Sequence, residues 1–553
     1  MRRAAALARL GAGRFDLLII GGGIVGAGIA RDAAMRGLSV ALIEQGDFAG
    51  GTSSKTSKLI HGGLRYLEHG RLRLVRESLC ERAVLRGIAP SMVRPVSILL
   101  PSFHGDRRSP GTIRLGLWLY GLLAAGRQLR APQLVSARRA LTLEPGLRVE
   151  GLRAAGLYAD CQMDDARLCL SNILQAASFG AACANYVRLT EFLRAGQRLC
   201  GAAAEDVLTG RTIEIQAATV VNATGPWSDR VRRVSEASAP ERLSPTKGIH
   251  VILPKLLQEA LFVQSRMDRR MIFLLPYGDY TLVGTTESRV DGPLEGLQAT
   301  ADEVDYLLSE VNRVLPGSHV SEADVISTFA GARPLLAFSG GAAGASREHR
   351  IDIDRWGLIS ILGGKYTTYR RMAAQVVDVV AAGRPGKGAR PGDRGWRAGE
   401  RCLTDQVSLI ETVHPITLSH WQELTRNLDP DLLARLLIRY GTASVAVLRW
   451  LAHDPSLAAQ VCPHHEYSYA ELLHVLDAEF ACTVTDVLAR RTRIAWSSCQ
   501  GLDALSRFSE LLERHAGWTR PVIEQQLEQY HQFLAGGLAF RPGLTPFRDS
   551  AIR

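Results

Sequence analysis

A glycine-rich turn between a short apolar run and a helical stretch constrains the fold of this chain more than any other feature. Residues 15–20 (FDLLII) are too short for a helix and too uniformly apolar for a half-exposed strand, which favours a buried parallel strand. Residues 21–28 (GGGIVGAG) follow at once and lead into a helical stretch at 29–36, and residues 39–44 (SVALIE) form a second strand. This order predicts one complete β-α-β unit.

The spacing of the glycines in this unit is typical of a dinucleotide-binding turn. Gly21, Gly23 and Gly26 let the backbone approach a pyrophosphate at the N-terminus of the helix. Glu44 ends the second strand, where a carboxylate accepts hydrogen bonds from ribose hydroxyls. Because an acid at that position repels a 2′-phosphate, the pattern favours FAD or NAD over NADP.

Two further glycine turns favour FAD over NAD. The first is Ala223-Thr224-Gly225, which ends a predicted strand and resembles the corresponding turn of flavoproteins with two dinucleotide-binding motifs. The second is residues 362–368 (LGGKYTT), a turn into a helix that in such flavoproteins faces the pyrimidine edge of the flavin. The positive end of that helix would stabilise the charge that gathers on a reduced flavin. We therefore expect Ala223, Gly225, Gly364 and Thr367 to contact FAD.

The length and composition indicate a globular protein of several domains. The chain has 553 residues, of which 46% are hydrophobic and 22% are charged. We predict an α/β fold: a two-dinucleotide-binding, Rossmann-like FAD domain, an inserted mixed β-sheet substrate domain and a C-terminal all-helical domain. The expected boundaries are a basic leader at 1–14, the interleaved FAD-binding and cap domains at 15–382, a Gly/Pro/Arg linker at 383–400, the helical domain at 401–535 and a tail at 536–553.

Charge and cysteine usage narrow the function classes. The net charge is +11, but it comes from 60 Arg and 6 Lys with no basic block or stripe, so nucleic-acid binding is not expected. The nine Cys contain no C-x-x-C pair, which indicates reduced thiols in a protein that faces the cytosol. Cys462-Pro463-His464-His465 lacks a second pair of ligands at metal-binding spacing, so no metal site is expected.

The most apolar segment, residues 115–125 (LGLWLYGLLAA), is too short to span a bilayer. Arg114, Arg127 and Arg130 flank it. Two interpretations stay open from the sequence: a buried core helix, or a helix that lies in a membrane surface and is attracted to anionic lipid.

Seven motifs in order along the chain resemble one family, the FAD-dependent, quinone-linked glycerol-3-phosphate dehydrogenases. The resemblance runs from about residue 15 to about residue 530, and the motifs are 52–68 (TSSKTSKLIHGGLRYLE), 164–168 (DDARL), 222–227 (NATGPW), 247–250 (KGIH), 284–286 (GTT), 331–335 (GARPL) and 363–370 (GGKYTTYR).

The resemblance implies oxidation of sn-glycerol 3-phosphate to dihydroxyacetone phosphate by hydride transfer from C2 to FAD, with electrons passed to membrane quinone. It also implies a cytoplasmic protein, peripheral on the inner face of the cell membrane, and is compatible with a homodimer. Residue by residue, it assigns catalysis to His61, Arg333 and Lys365 and substrate binding to Arg65, Tyr66, Arg347 and Lys247. It assigns further FAD contacts to Thr52, Ser53, Ser54, Lys58 and Lys365.

The chemistry of these side chains suits such a substrate. A phosphorylated secondary alcohol needs cations for its phosphate, a proton acceptor, and positive charge near the developing alkoxide. Arginines offer forked donors for oxyanions, and His61 can act as a base near neutral pH. Lysine is scarce here, yet Lys58, Lys247 and Lys365 all fall within the motifs, which indicates that a compact ammonium is needed there.

Several alternatives stay open at this stage. Arg350 could replace Arg347 as a substrate ligand, and His250 fits a packed structural histidine or a second base. Glu287 and Gln162 depart from the pattern of the family and could change the shape of the pocket. The competing functions are a glycerol-3-phosphate oxidase that uses oxygen, an amine or amino-acid oxidase, and a catalytically inactive FAD-binding scaffold.

Overall fold

The computed structural model describes most of the chain. The described residues are 3–337, 348–382, 401–411, 413 and 421–541. Arg347 and the whole of the predicted linker at 383–400 lie outside them. Within the described ranges, no helix combines the length and the apolar character that crossing a membrane requires.

The regular elements alternate between strands and helices over the first 382 residues. The strands of the described ranges are β1 (Arg14–Ile20), β2 (Val40–Ile43), β3 (Leu59–Ile60), β4 (Val93–Phe103), β5 (Gln133–Ser136), β6 (Leu152–Met163), β7 (Ala182–Ala184), β8 (Val187–Ala195), β9 (Arg198–Asp206), β10 (Arg211–Asn222), β11 (Thr246–Pro254), β12 (Ala260–Gln264), β13 (Met271–Tyr277), β14 (Tyr280–Gly284), β15 (Ser288–Arg289), β16 (Ser327–Arg333), β17 (His349–Ile353), β18 (Ile359–Gly363), β19 (Gln460–Cys462) and β20 (His465–Ser468).

The helices are mostly of ten or more residues. They are α1 (Arg3–Ala12), α2 (Ile24–Met35), α3 (Leu72–Ile88), α4 (Pro110–Leu123), α5 (Ala137–Leu143), α6 (Asp165–Ser178), α7 (Ser228–Ser235), α8 (Ala301–Val314), α9 (Tyr369–Ala382), α10 (Gln422–Thr425), α11 (Pro430–Tyr440), α12 (Ser444–His453), α13 (Tyr469–Ala478), α14 (Leu505–Ala516) and α15 (Arg520–Gly536).

The first sheet has the parallel core that the glycine turn predicts. Its central strands pair in the order β18-β10-β1-β2-β7, all in parallel, and β17, β9 and β8 extend it by antiparallel pairing. Helices α2, α6 and α9 bury apolar residues against one face, and α1 and α7 cover the other. Parallel strands covered on both faces explain the continuous apolar run in β1.

The predicted basic leader is part of this layer. In α1, Ala6 and Leu10 are fully buried beside Phe15. The Arg3 guanidinium forms an ion pair with Asp206 and donates a hydrogen bond of 3.0 Å to the carbonyl of Asn185. The segment therefore packs as a helix on the first sheet.

The second sheet is mixed, and its strands come from segments inserted between those of the first. The strand order is β15-β11-β14-β13-β12-β4-β6-β3, with β16 paired to β11 and β5 paired to β6. Its pairs are antiparallel except for β12 and β4, which run in parallel. Helices α5 and α8 pack on one face and α4 on the other. This arrangement confirms the predicted α/β fold with an inserted mixed sheet.

The C-terminal region is mainly helical, as predicted. Helices α11 to α15 surround their own apolar core. The region is not entirely helical as predicted, because β19 and β20 form a short antiparallel hairpin around Pro463-His464. Proline followed by a tight turn interrupts the helical periodicity there, so the chain pairs with itself before α13 begins.

The C-terminal region is attached to the first sheet by buried ion pairs. The Arg167 guanidinium, at the start of α6, pairs with the Glu479 carboxylate, with Nη2 at 2.7 Å from Oε1. Arg490 and Arg491, in a π-helical turn (Asp486–Arg491), both pair with Asp47, which follows β2. Since Arg167, Arg491 and both carboxylates are buried, removing Glu479 or Asp47 would leave an uncompensated charge.

Candidate active site

One large cavity of about 780 Å³ lies between the two sheets. This volume is in the range of ligand and cofactor pockets. Its wall takes residues from the glycine turn after β1, from the segment between β2 and α3, from the turns after β10 and β18, and from strands of the second sheet. The carboxyl ends of the parallel strands therefore open toward the face of the mixed sheet, which is where open α/β sheets bind ligands.

The glycine turn is shaped for close approach of a ligand. Gly21 has a φ of +110°, and a β-carbon on Gly26 would come within 1.9 Å of the Gly21 carbonyl oxygen. Gly21 and Gly23 line the cavity, whereas Gly26 acts by letting α2 start directly against the turn. Side chains at these positions would block the start of α2 and the space above it, so the turn fits a diphosphate at a helix N-terminus.

Glu44 lies beside this turn, as predicted. Its carboxylate accepts hydrogen bonds from the backbone N–H groups of Gly22 at 2.7 Å and Gly46 at 3.0 Å. Burial raises the pKa of Glu44, and these two amides act in the opposite direction. Glu44 lines the cavity, where its carboxylate can accept hydrogen bonds from the hydroxyl groups of a ribose.

The segment after β2 continues the wall of the cavity. Ser53 accepts a hydrogen bond of 2.9 Å from the Ile24 backbone N–H at the start of α2, and Thr52 donates one of 2.6 Å to the Ala332 carbonyl. Both residues line the cavity, but Ser54 does not.

The two later turns lie at the other side of the cavity. Ala223, Gly225, Gly364 and Thr367 all line it. Gly364 has a φ of +99°, and a β-carbon there would meet the Met372 side chain at 2.3 Å. Thr367 Oγ1 accepts a hydrogen bond of 3.3 Å from the backbone N–H of His61. The turn before α9 is thereby tied to the segment that carries the proposed catalytic histidine.

The predicted catalytic group lines the same cavity. His61, Arg65, Tyr66, Arg333 and Lys365 are all wall residues. The Lys365 ammonium lies 3.7 Å from the centroid of the Tyr66 ring, and the Arg65 guanidinium carbon lies 6.0 Å from the same centroid. The two cations thus converge on one aromatic ring, whose face attracts positive charge.

Arg333 is held by a set of acceptors from the mixed sheet. Its Nη2 donates to Thr285 Oγ1 at 2.7 Å and to the Thr286 carbonyl at 2.9 Å, and its Nη1 donates to the Lys247 carbonyl at 3.3 Å. Glu287, which departs from the pattern of the family, lies 3.9 Å from Nη1. The orientation of the guanidinium toward the cavity is therefore fixed before any ligand binds.

Two of the predicted lysines lie elsewhere. Lys58 is buried and pairs with Asp165 at 2.6 Å, and Lys247 pairs with Glu303 at 2.8 Å. Neither lines the cavity. Their contacts with cofactor and substrate stay predictions; in this structure each ammonium pairs with a carboxylate that is distant in sequence. Gln162, the second residue that departs from the pattern of the family, donates a hydrogen bond of 2.8 Å to the Pro276 carbonyl and also lies away from the cavity wall.

Arg347, the looser of the predicted phosphate ligands, lies outside the described residues. Its alternative, Arg350, is exposed and pairs with Asp352 at 3.2 Å, so it does not line the cavity.

His250 lines the cavity in a packed arrangement. Its ring stacks on Phe329 with centroids 5.0 Å apart, and Nε2 shares a hydrogen bond of 2.8 Å with Ser57 Oγ. Burial lowers the pKa of His250 well below its usual value, and the positive charges of Arg333 and Lys58 lower it further. The ring is therefore neutral at physiological pH, which favours the packed structural interpretation.

A buried polar network supports the backbone beside His61. The Gly62 N–H donates a hydrogen bond of 3.0 Å to the Tyr120 hydroxyl, which in turn donates to the Asp160 carboxylate at 2.9 Å. Arg82 completes the network with an ion pair to Asp160 at 2.5 Å. A β-carbon on Gly62 would come within 2.4 Å of that hydroxyl, so glycine is required for the contact.

Sequence reasoning missed four cations in the cavity wall: Lys55, Arg188, Arg230 and Arg490. Lys55 lies in the same motif as Lys58 and is one of only six lysines, so lysine scarcity could have identified it. Arg490 had no comparable signal, because it belongs to the C-terminal region.

The predicted absence of a metal site rested on Cys462 and its neighbouring histidines. In the structure, Cys462 instead lies near Cys499, with the two sulfurs 2.9 Å apart, and near Asp503. This grouping lies in the C-terminal region, outside the cavity wall.

Comparison with known proteins places these features in a family. Residues 16–370 match the family model described as FAD dependent oxidoreductase, and residues 359–522 match the C-terminal domain of alpha-glycerophosphate oxidase. The chain is 35% identical over 537 residues to glycerol-3-phosphate dehydrogenase 2 of Mycobacterium bovis, covering 96% of this chain and 89% of that protein. It is also 35% identical over 541 residues to glycerol-3-phosphate dehydrogenase of Synechocystis, covering 94% and 96%.

A solved structure extends the similarity to the fold. The glycerol-3-phosphate dehydrogenase of Bacillus halodurans complexed with FAD superimposes with a TM-score of 0.77 at 28% identity, covering 98% of each chain. The glycine turns and the cavity between the two sheets fit the cofactor that this similarity implies.

Proposed function

The chain belongs to the FAD-dependent glycerol-3-phosphate dehydrogenase family, and on that premise we propose that it oxidises sn-glycerol 3-phosphate to dihydroxyacetone phosphate. One observation carries the proposal: Arg65, Arg333 and Lys365 line the same cavity as His61 and as the glycine turns that fit FAD. In this proposal the first sheet holds FAD through its turns, and the mixed sheet presents the substrate.

The phosphate of the substrate explains why several cations are needed. Glycerol 3-phosphate is a small dianion, and Arg65 and Arg333 offer forked donors that suit phosphate oxygens. Since Arg333 is already fixed by Thr285 and Thr286, it can bind an oxyanion without losing much side-chain entropy. An amino-acid substrate carries a single carboxylate and would need fewer cations.

The proton of the substrate hydroxyl needs an acceptor in the same place. We assign this role to His61, whose ring lies edge-on to Phe273 with centroids 6.0 Å apart. Lys365 and Tyr66 are placed to stabilise negative charge on the substrate oxygen as the proton leaves. FAD, when bound, supplies the acceptor for the hydride from C2. The hydroxyl proton then resides on His61, and the product is the ketone.

Anaerobic reduction of the bound flavin tests this proposal. The purified FAD-loaded protein is mixed with glycerol 3-phosphate or with glycerol, and flavin absorbance near 450 nm is followed. We expect the absorbance to fall with glycerol 3-phosphate and to stay unchanged with an equal concentration of glycerol, which lacks the phosphate. Equal reduction by both, or by neither, would overturn the proposal.

We further propose that the electrons pass to a membrane quinone and that the protein binds the inner face of the cell membrane from the cytoplasm. The supporting observation is helix α4. Leu115, Trp118 and Leu122 lie on one side of it and are 64%, 63% and 61% exposed, whereas Leu117 and Tyr120 on the other side are buried. One face of the helix therefore packs in the core, and the other face is apolar and exposed, which supports the proposal that it lies in a membrane surface.

An apolar helical face with arginine nearby suits the interface of an anionic bilayer. Arg114 on the helix and Arg127 after it are exposed. The buried face of the same helix contacts the backbone beside His61 through Tyr120, so membrane attachment there would bring the active site close to the lipid in which quinone diffuses.

The acceptor is tested by mixing the substrate-reduced protein with a soluble quinone analogue or with oxygenated buffer, both in the presence of anionic vesicles. We expect the quinone to reoxidise the flavin much faster than oxygen does. Faster reoxidation by oxygen would identify an oxidase. The homodimer stays a prediction.

A further inference from the structure

The C-terminal region reaches the cavity at one point. Among the described residues that line the cavity, Arg490 alone comes from beyond residue 367. It lies in the π-helical turn Asp486–Arg491, and its partly buried side chain pairs with Asp486 and with Asp47. The region that is separate in sequence from both sheets therefore contributes a cation to the cofactor cavity.

The position of Arg490 is set from the glycine-turn side. Its Nε lies 2.5 Å from Asp47 Oδ2, and Arg491 donates two hydrogen bonds of 2.7 Å to the same carboxylate. Asp47 belongs to a loop whose Ala49 N–H donates to the Gly22 carbonyl at 3.1 Å. Arg490 is thus connected, through Asp47 and the loop that contains Ala49, to the glycine turn that precedes helix α2.

Lys55 lies in the cavity wall near Arg490 and lacks an opposite charge. It follows the short 3₁₀ turn (Thr52–Ser54) in which Ser53 accepts from the first N–H of α2. In the part of the chain that the structure describes, no carboxylate forms an ion pair with the Lys55 ammonium. Burial lowers the pKa of Lys55, and the positive charge of Arg490 lowers it further. An anion in the cavity would stabilise the charged form of a lysine that faces the cavity beside a second cation.

We propose that Lys55 and Arg490 bind the diphosphate of FAD, so that cofactor binding and attachment of the C-terminal region stabilise each other. This inference rests on the proposed function only for the identity of the cofactor. In that function two anionic groups enter the cavity, the phosphate of the substrate and the diphosphate of FAD. The substrate phosphate has Arg65, Arg333 and Lys365. The diphosphate belongs at the N-terminus of α2. Ser53, two residues before Lys55, accepts a hydrogen bond from the Ile24 N–H there, and Asp47, the partner of Arg490, lies in the loop that is bound to Gly22.

The reciprocal effect follows from thermodynamic linkage. If a residue of the C-terminal region contacts FAD, then FAD favours the attached state of that region by the same free energy with which attachment favours FAD. In this proposal Arg490 binds FAD and also attaches the C-terminal region to the first sheet through Asp47. Asp47 positions Arg490 without contacting the cofactor.

The affinity of the apoprotein for FAD, measured by flavin fluorescence, tests the proposal. We expect Lys55→Met and Arg490→Lys each to raise the Kd for FAD by at least about tenfold, the effect of losing one charge-assisted contact. The matched controls are Lys255→Met, an exposed lysine, and Arg449→Lys, an exposed arginine of the C-terminal region that does not line the cavity. Both controls should bind FAD within about twofold of the unchanged protein.

Hydrogen exchange of residues 469–496 provides a readout that does not depend on activity. Adding FAD should slow exchange in this segment in the unchanged protein and in Arg449→Lys, but much less in Arg490→Lys. An unchanged Kd for FAD in both cavity variants would overturn the inference, and so would an effect confined to the KM for glycerol 3-phosphate. Variants that bind FAD weakly, yet are reduced by substrate once saturated with FAD, would leave the proposed reaction intact.

Discussion

The backbone N–H of Gly62 donates a hydrogen bond of 3.0 Å to the hydroxyl of Tyr120, on the buried side of the helix whose other side exposes Trp118. Gly62 directly follows His61. One helix therefore links the proposed base to the proposed membrane surface. The proposed lipid-binding face and the backbone beside the proposed base therefore belong to the same short stretch of structure.

Replacing Leu115, Trp118 and Leu122 together by serine should weaken binding to anionic vesicles at least tenfold. Burial of such side chains in an apolar environment contributes about 1.5–3 kcal/mol each, so even partial burial of three is a large share of a peripheral attachment. Because all three are mostly exposed, thermal stability and the rate of flavin reduction should change little. Vesicle co-sedimentation gives the measurement.

The control for this experiment is Ile438→Ser, which removes an apolar side chain that is 55% exposed on α11. If that variant loses vesicle binding as much as the triple variant does, the surface of α4 has no special part in attachment.

Gly248→Ala should disable the phosphate site. A β-carbon on Gly248 would lie 2.0 Å from Arg333 Nη2 and 2.5 Å from Thr285 Oγ1, so the guanidinium has to leave its present position. We expect the KM for glycerol 3-phosphate to rise at least tenfold, while FAD still binds. Steady-state kinetics with FAD at saturation gives the comparison. Gly317→Ala, where an added β-carbon meets nothing within 4 Å, should behave like the unchanged protein.

His61→Asn should slow flavin reduction by about 10²–10⁴-fold, the usual contribution of a general base. Substrate binding should change by less than about threefold, since the phosphate ligands stay in place. Stopped-flow mixing over a range of substrate concentrations separates the two constants. A reduction rate equal to that of the unchanged protein would remove His61 from the chemistry and leave the cations as the only catalytic groups.

His250 should not take up a proton between pH 8 and pH 5.5. Its folded-state pKa is lowered, chiefly by burial, whereas the unfolded value is near 6.5, so the unfolded chain binds the proton first. The contribution of this residue to the free energy of unfolding is therefore complete above pH 6.5 and is lost as the pH falls, by about 1 kcal/mol between pH 7 and pH 5.5.

Nuclear magnetic resonance of histidine-labelled protein measures this directly, with the His250→Asn variant used to assign the signal. A signal that titrates with a midpoint near pH 6.5 would contradict the buried, neutral ring.

The sequence predicts the parts of this protein that depend on local pattern. Apolar runs such as residues 15–20 and the glycines after them determine a strand, a turn and a helix start within a few residues, because steric demands there are local. The ends of β1 and β2 match the prediction within one residue, whereas α2 starts at Ile24, five residues earlier than expected. Helix boundaries shift in this way because the glycines after the turn are already helical.

Side-chain partners from distant segments are what the sequence leaves undetermined. Lys58 and Lys247 fall within motifs as Lys365 does, but their ammonium groups pair with Asp165 and Glu303. Which lysine faces the cavity depends on where those carboxylates lie after folding. Arg490 shows the reverse case, since it lies far in sequence from Asp47 and only the attachment of the C-terminal region brings the two together.

The central claim is that fixed cations hold a phosphorylated secondary alcohol with its C2 directed at bound FAD. Anaerobic stopped-flow reduction with glycerol 3-phosphate that carries deuterium at C2 tests it most directly. The account predicts that flavin absorbance is lost several-fold more slowly than with the unlabelled substrate. Loss of absorbance at the same rate with both substrates under conditions where chemistry limits the rate, or no loss at all, would contradict it.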